Sequence, residues 1–300
     1  MGHMAVINGT AGNDEIDGNG MGVADVINGR GGDDLIRGRS GDDTLRGGVG
    51  DDTLAGGLGA DELNGGGGFD LASYLNAVEL GGAAQGFVAD LKTGSLSDPF
   101  GSTDTLSSIE GLAGTSLGDT LKGGNAANRL VGNGGNDRLM GRGGNDTVDG
   151  GDGNDGLNGG GGDDLLDGGK GNDGVKAQGG DDNVFGRGGK DKLNGGAGND
   201  TLDGGAGADR LVGAAGNDRL TGGGGQDRFV FGPDSDVDRV RDYTDGADRI
   251  DLRAFDFATK ADALEGFSQS GDHVVFQEGA DRLILLDTDL ADINGTDLVI

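Results

Sequence analysis

Read in frames of nine, most of this chain repeats one unit, GGxGxDxUx, where U is a large aliphatic residue. Gly195-Gly196-Ala197-Gly198-Asn199-Asp200-Thr201-Leu202-Asp203 and Gly141-Arg142-Gly143-Gly144-Asn145-Asp146-Thr147-Val148-Asp149 are typical copies, and twelve follow one another without a gap from Gly123 to Val230. One aliphatic residue between two mostly polar ones specifies a very short strand with its centre turned inward. The preceding Gly-x-x-Gly-x-Asp carries the glycines that left-handed backbone and close approach of neighbouring turns require. A single unit cannot bury its one aliphatic side chain. Two units make a coil of eighteen residues, and stacked coils make two parallel sheets facing each other across an aliphatic core.

The phase of the repeat locates the acidic groups. In a first block the phase-six aspartates are Asp14, Asp25, Asp34, Asp43, Asp52, Asp61 and Asp70, and an extra Gly18-Asn19 breaks the frame once. In a second block they are Asp119, Asp137, Asp146, Asp155, Asp164, Asp173, Asp182, Asp191, Asp200, Asp209, Asp218 and Asp227. Phase eight is equally regular, from Ile16, Ile27 and Ile36 in the first block to Leu202, Leu211 and Leu220 in the second. Turns fall on the two rims of such a coil, so aspartates two copies apart lie one above the other.

A lone turn aspartate is best read as an Asx-turn bonding its own backbone. Nineteen in phase are not, because carboxylates one coil apart, at about 5 Å, repel by several kcal/mol at an effective dielectric near 20. Cations must lie between them, and the 23 Lys and Arg residues are not phased to serve. An irregular, carbonyl-rich oxygen cage suits calcium better than magnesium. Counting the gaps on each rim gives about 13–15 calcium ions, with individual affinities of about 0.1–1 mM. Asn128 replaces aspartate in its copy, and Val23, Leu117 and Ala126 replace glycine, so weak sites are expected beside Asn128 and Leu117.

Composition supports this dependence on metal. Glycine accounts for 72 of 300 residues, apolar residues for 33%, and the formal charge is −30. Such a chain, without cations, is expected to be largely disordered. The charge argues against nucleic acid and anionic membranes as partners. No apolar run approaches membrane-spanning length, so no membrane insertion is expected. The absence of cysteine removes disulfides and thiol chemistry.

The repeat resembles that of the RTX (repeats-in-toxin) proteins, over about two thirds of the chain. The resemblance implies an all-β fold: a right-handed parallel β-roll, here two rolls separated by an insert, with a C-terminal β-rich cap. It also implies calcium held between successive turns by phase-six carboxylates and turn carbonyls. A secreted, extracellular location and a type I secretion apparatus as partner follow from the same resemblance. The final Asp297-Leu298-Val299-Ile300 resembles the terminus of the uncleaved export signal of such proteins.

On this reading residues 1–4 are a cloning scar, 5–73 the first roll, 74–113 an irregular insert, 114–230 the second roll and 231–300 the cap with the export signal. A strand is expected at Phe87–Leu91 and a turn at Ser97–Gly101. Residues Thr105–Ala113 keep the second phase weakly, with Glu110 at six and Leu112 at eight. In the tail, strands are expected at Arg239–Tyr243, Arg249–Leu252, His273–Gln277 and Arg282–Leu286. A short helix starting at Thr259 has a capping box.

Catalytic patterns match only by accident. Gly114-Thr115-Ser116-Leu117-Gly118 fits a nucleophile elbow, but it lies inside a phased repeat. Asp234-Ser235-Asp236-Val237-Asp238 begins like an EF-hand yet has Arg239 where glycine is required, and reads as a structural turn. The chain is therefore expected not to be an enzyme in itself. A calcium-responsive folding and export module is the leading reading. Alternatives are the C-terminal part of a secreted protease, lipase or polysaccharide-modifying enzyme, or a surface adhesin or module binding acidic polysaccharide through outward residues such as Arg187 and Lys192.

Overall fold

The computed structural model describes residues 4–20, 22–75, 86–98, 101–233 and 235–300. Residues 1–3 of the expected scar, and Pro99 and Phe100 of the expected turn, lie outside them. The fold is a nearly all-β parallel solenoid, as the nine-residue period requires. It divides into two compact units, Met1–Gly150 and Gly151–Ile300.

In the first unit, one sheet runs through Val6–Asn8, Val26–Gly31, Thr44–Val49 and Glu62–Gly67, all parallel. The facing sheet runs through Glu15–Asp17, Leu35–Ser40, Thr53–Leu58 and Leu71–Ser73. Register between repeats is eighteen residues, as in Ile27 opposite Leu45 and Ile36 opposite Leu54. The phase-eight side chains are inaccessible to solvent along this stack, with Ile27, Ile36, Leu45, Leu54 and Leu63 all 0% exposed. Each such burial is worth about 1.5–3 kcal/mol, which only stacking supplies.

Many strands span six residues rather than three, continuing through phases nine, one, two and three. Val26–Gly31 shows why, since Ile27 and Gly29 both point inward. The phase-one glycine is thus a second inward position that offers no side chain.

The segment between the blocks rejoins the coil. Val88–Asp90 and Ser95–Ser97 form an antiparallel hairpin, and Ser95–Ser97 pairs antiparallel with Thr103–Ser107. Thr103–Ser107 lies parallel to Glu62–Gly67, and Gly111–Ala113 lies between Leu71–Ser73 and Arg129–Val131. Buried Tyr74 and Phe87 pack ring to ring at 4.6 Å beneath this excursion.

In the second unit, Gly156–Gly161, Gly174–Gly179, Lys192–Ala197, Arg210–Ala215 and Arg228–Val230 stack in parallel. The opposite sheet carries Leu165–Asp167, Asn183–Phe185, Thr201–Asp203 and Arg219–Thr221. The tail extends both sheets. Arg249–Asp251 and then Leu298–Val299 continue the first, while Val237–Val240 and Asp281–Leu285 continue the second. His273–Glu278 and Phe267–Ser270 then turn antiparallel. Phe276 sits at the centre of Phe231, Phe255, Phe257 and Phe267, with ring centroids 4.9–6.1 Å away. This aromatic cluster replaces the single aliphatic of a coil. Helix Lys260–Leu264 begins at Thr259 with the expected capping box to Asp262.

Candidate metal centre: the acidic turns

Each phase-six aspartate ends a glycine turn just before its strand, so its side chain is fixed by the parallel register. The backbone N–H of one aspartate donates to Oδ1 of the aspartate a coil later. In the first unit these bonds run Asp34 to Asp52 and Asp52 to Asp70 on one rim, at 2.8 and 2.9 Å. On the other rim they run Asp25 to Asp43 and Asp43 to Asp61, at 2.7 and 2.8 Å. In the second unit Asp155, Asp173, Asp191, Asp209 and Asp227 form one such column. Asp164, Asp182, Asp200 and Asp218 form the other. Asp119 donates likewise to Asp137, and Asn128 to Asp146, both at 2.7 Å. The Oδ1 atoms thus serve the neighbouring coil rather than their own turn.

The second carboxylate oxygen is different. Oδ2 of Asp34, Asp43, Asp52, Asp61 and Asp70, and of Asp173, Asp182, Asp191, Asp200, Asp209 and Asp218, is buried with no hydrogen-bond partner. A buried polar atom without a partner costs roughly 1–3 kcal/mol, and a charged one more. Eleven repetitions of the same omission call for one common ligand.

The surroundings of these oxygens define what that ligand is. A β-carbon on Gly186 would stand 2.6 Å from both Asp191 Oδ2 and the Gly204 carbonyl oxygen. One on Gly204 would stand 2.7 Å from Asp209 Oδ2 and from the Gly222 carbonyl. Phase-one glycine therefore leaves open a space on which a carboxylate oxygen and a backbone carbonyl converge. All the donors are hard oxygens, with no nitrogen or sulfur, so the residues fit calcium rather than zinc or copper.

Electrostatics point the same way. Burial pushes Asp61 up to about 7, with the Asp104 and Asp43 charges adding to it. Burial raises Asp191 and Asp200 to about 7 as well, helped by their column neighbours Asp209 and Asp173, and Asp218 and Asp182. Asp52, Asp173, Asp182 and Asp227 are raised to about 6 for the same first reason. Stacked carboxylates without counter-charge resist ionisation.

A minority of turns bond the phase-six side chain internally. Asp14 Oδ2 accepts from the Thr10 N–H at 2.6 Å and the Thr10 hydroxyl at 2.9 Å. Asp119 Oδ2 accepts from the Thr115 N–H at 2.6 Å. Asp25 Oδ2 accepts from Asn19, one of the two extra residues, and that N–H is the main reason its carboxyl lies below the usual range. Asn128 accepts from the Gly124 N–H at 2.6 Å and donates through Nδ2 to the Glu110 carbonyl. Beside it, Arg142 donates to both oxygens of Asp90 at 2.7 Å and to the Gly123 carbonyl at 2.5 Å. A guanidinium here touches the phase-one carbonyl that elsewhere faces a bare carboxylate.

Residues outside the nonamer frame also join the columns. Asp61 donates to Asp104 Oδ1 at 2.9 Å, and Asp70 to Glu110 Oε2 at 3.0 Å. Asp218 donates to Asp238 Oδ1 at 3.1 Å, and Asp227 to Asp248 Oδ1 at 2.9 Å. Glu110 stood at phase six in the sequence, whereas the other three did not register. Each precedes a buried aliphatic by two residues (Leu106, Val240, Ile250), and that spacing was the available signal. Asp238, in the segment resembling an EF-hand, has a bare buried Oδ2 and is pushed by burial and by the Asp218 charge to about 8. Asp104 Oδ2 instead accepts from the buried Tyr74 hydroxyl at 2.7 Å.

The accidental catalytic patterns dissolve into this architecture. Thr115 of the serine-containing pentapeptide anchors Asp119, and Ser116 is exposed in the turn. His273 Nδ1 accepts from the Asp287 N–H at 3.1 Å at a strand start. Arg187, one of the outward residues considered for polysaccharide, pairs with Asp167 at 2.7 Å and lies over the Phe185 ring.

Comparison with known proteins bears on the same repeats. The RTX calcium-binding nonapeptide repeat (4 copies) matches residues 6–20, 19–45, 37–72, 113–148, 140–175, 176–211 and 203–238. No curated protein matches the chain. Among solved structures it is similar to the extracellular lipase LipA from Serratia marcescens, at 18% identity and a TM-score of 0.25. That match covers 100% of this chain, which spans 40% of the length of the lipase.

Proposed function

Because the chain belongs to the RTX calcium-binding nonapeptide repeat family, we propose that it is a calcium-responsive module which completes its folding only where calcium is abundant. The observation that carries this reading is the set of buried, unpartnered Oδ2 atoms on both rims. When bound, calcium supplies positive charge and six to eight oxygen-coordination places. The residues to hold it are, of the nineteen phase-six aspartates, those with bare oxygens, Asp34 to Asp70 and Asp173 to Asp218, together with phase-one carbonyls. Phase-eight aliphatics then pack only as coils close, so metal binding and core formation are one event.

The same coupling suits export. With little calcium the chain stays open and able to thread a type I secretion channel; outside the cell, calcium drives it into the roll. The module itself performs no catalysis in this reading, and any chemistry belongs to a partner domain. Isothermal calorimetry of calcium into chelator-treated protein, with far-UV circular dichroism at each point, tests the proposal. It expects multiple ions, steep cooperativity and a gain of β signal along the same curve. Full β structure in chelator, unchanged by calcium, would refute it.

A further inference from the structure

Among the turns whose phase-two residue is described, two classes appear, and that residue separates them. Sixteen nonamers, those carrying Asp34 to Asp70, Asp137, and Asp146 to Asp227, have their phase-two residue in left-handed backbone. Most use glycine there, but Arg30, Arg39, Asn133 and Ala214 adopt it too, with φ of 85°, 76°, 72° and 81°. The eleven bare Oδ2 atoms in nonamers described above all belong to this class.

In the other class the phase-two residue is outside the left-handed region, and its own N–H reaches back to the phase-six side chain. Thr10 does so to Asp14, Thr115 to Asp119 and Gly124 to Asn128, each at 2.6 Å. Thr244 repeats the bond to Asp248 at 2.8 Å in the tail, at the same four-residue spacing. None of these four has a positive φ. For the three threonines the physical reason lies in the side chain, whereas Gly124 closes its turn on an asparagine in place of the aspartate. Left-handed backbone is a genuine outlier for a β-branched residue, whereas glycine and asparagine enter it readily. Threonine at phase two therefore points its N–H at Oδ2, and its hydroxyl adds a second bond in the Asp14 turn.

We propose that the phase-two residue is the switch that decides whether a given acidic turn takes a cation. Left-handed backbone there leaves the carboxylate oxygen bare and open to calcium; threonine there closes the turn with a hydrogen bond. This rests on the calcium reading above and adds which turns are exempt from it. Closed turns also occupy particular places: the first coil at Asp14, the re-entry after the insert at Asp119, and the tail at Asp248. Each marks an end of a run of open turns.

Native mass spectrometry of calcium-loaded full-length chain, counting ions per molecule, tests the switch. Ala214 is the cleanest position, since its methyl is already accommodated at φ 81° beside the bare Asp218 oxygen. Ala214→Thr is expected to lower the calcium count by roughly one or two ions, since each ion sits between stacked turns. Ala214→Asn, which keeps left-handed backbone accessible, is expected to leave the count unchanged. The reciprocal Thr115→Gly is expected to raise the count by at least one. Far-UV spectra in calcium report whether each variant folds, and Thr115→Gly carries the test if Ala214→Thr does not. A wild-type chain that binds no calcium would overturn the calcium reading itself. A wild type that binds many, with Ala214→Thr folded at the wild-type count or Thr115→Gly folded with no added ion, would overturn the switch alone.

Discussion

Two adjacent glycines in one turn should respond to the same substitution with opposite signs. Gly224 is at phase three, where an added β-carbon meets nothing within 4 Å and φ is not positive. Gly225 is at phase four, with φ +148°. A β-carbon there would lie inside the Gly207 carbonyl oxygen and 2.5 Å from its carbon, one coil below. Gly224→Ala removes unfolded-state freedom at no native cost and should stabilise by about 0.4–1 kcal/mol. Gly225→Ala meets two penalties: about 1–3 kcal/mol for a backbone region reserved for glycine, and about 1–3 kcal/mol for the overlap. For a unit of this size 1 kcal/mol moves Tm by about 2–4 °C. The first variant should therefore melt about 1–4 °C higher than the parent in saturating calcium, and the second at least about 4 °C lower. Thermal scans by circular dichroism at fixed calcium read both. Equal shifts, or a Gly225→Ala variant as stable as the parent, would refute the account of phase four. The natural departures agree with it: Ala126 and Leu117 occupy phase four in coils whose turns are not left-handed there.

The raised carboxyls predict an inverted pH response in chelator. Asp61, Asp191 and Asp200 titrate near 7 when folded against a usual 3.8, so their folded-state advantage is complete below about 3.8 and is lost as pH rises through about 7. Metal-free protein should gain β signal on acidification from pH 8 to 5, while calcium-loaded protein should lose it, and a flat profile in chelator would count against bare stacked carboxylates. Tyr74→Phe removes the hydroxyl that serves buried Asp104 Oδ2 and should cost about 1–3 kcal/mol, read as an earlier urea midpoint. Arg142→Gln breaks the two-pronged contact to Asp90 and the bond to the Gly123 carbonyl. It should destabilise by about 1–3 kcal/mol in calcium and in chelator alike, since the bonds lost are made to Asp90 and to the Gly123 carbonyl beside the closed Asn128 turn.

The period made the coil legible because every ninth residue repeats a physical demand. Asp200 and Leu202 carry the same obligations as Asp182 and Val184, one coil away. What the period hid were places where the coil persists but the count fails. Asp104 lies 43 residues after Asp61, and Asp238 lies 20 after Asp218, because an excursion or two extra residues intervene. Only the aspartate-x-aliphatic spacing survives there. The division of labour within each carboxylate was also invisible, since Oδ1 bonds across coils and Oδ2 depends on the φ of a residue four positions back. Of the alternatives weighed from the sequence, local bonding of the aspartate by backbone is seen in some turns, while the others are those for which a cation is proposed. Thr10 and Thr115 support the first, and the left-handed phase-two residues keep the second open.

In the proposed reading, bare Oδ2 atoms in left-handed turns are the calcium ligands. Crystals grown in calcium, with anomalous differences collected at long wavelength, test it atom by atom. Peaks should stand beside Oδ2 of Asp34, Asp52, Asp191 and Asp200 and be absent beside Asp14 and Asp119. Rims without peaks, or peaks that favour the threonine-closed turns, would contradict it.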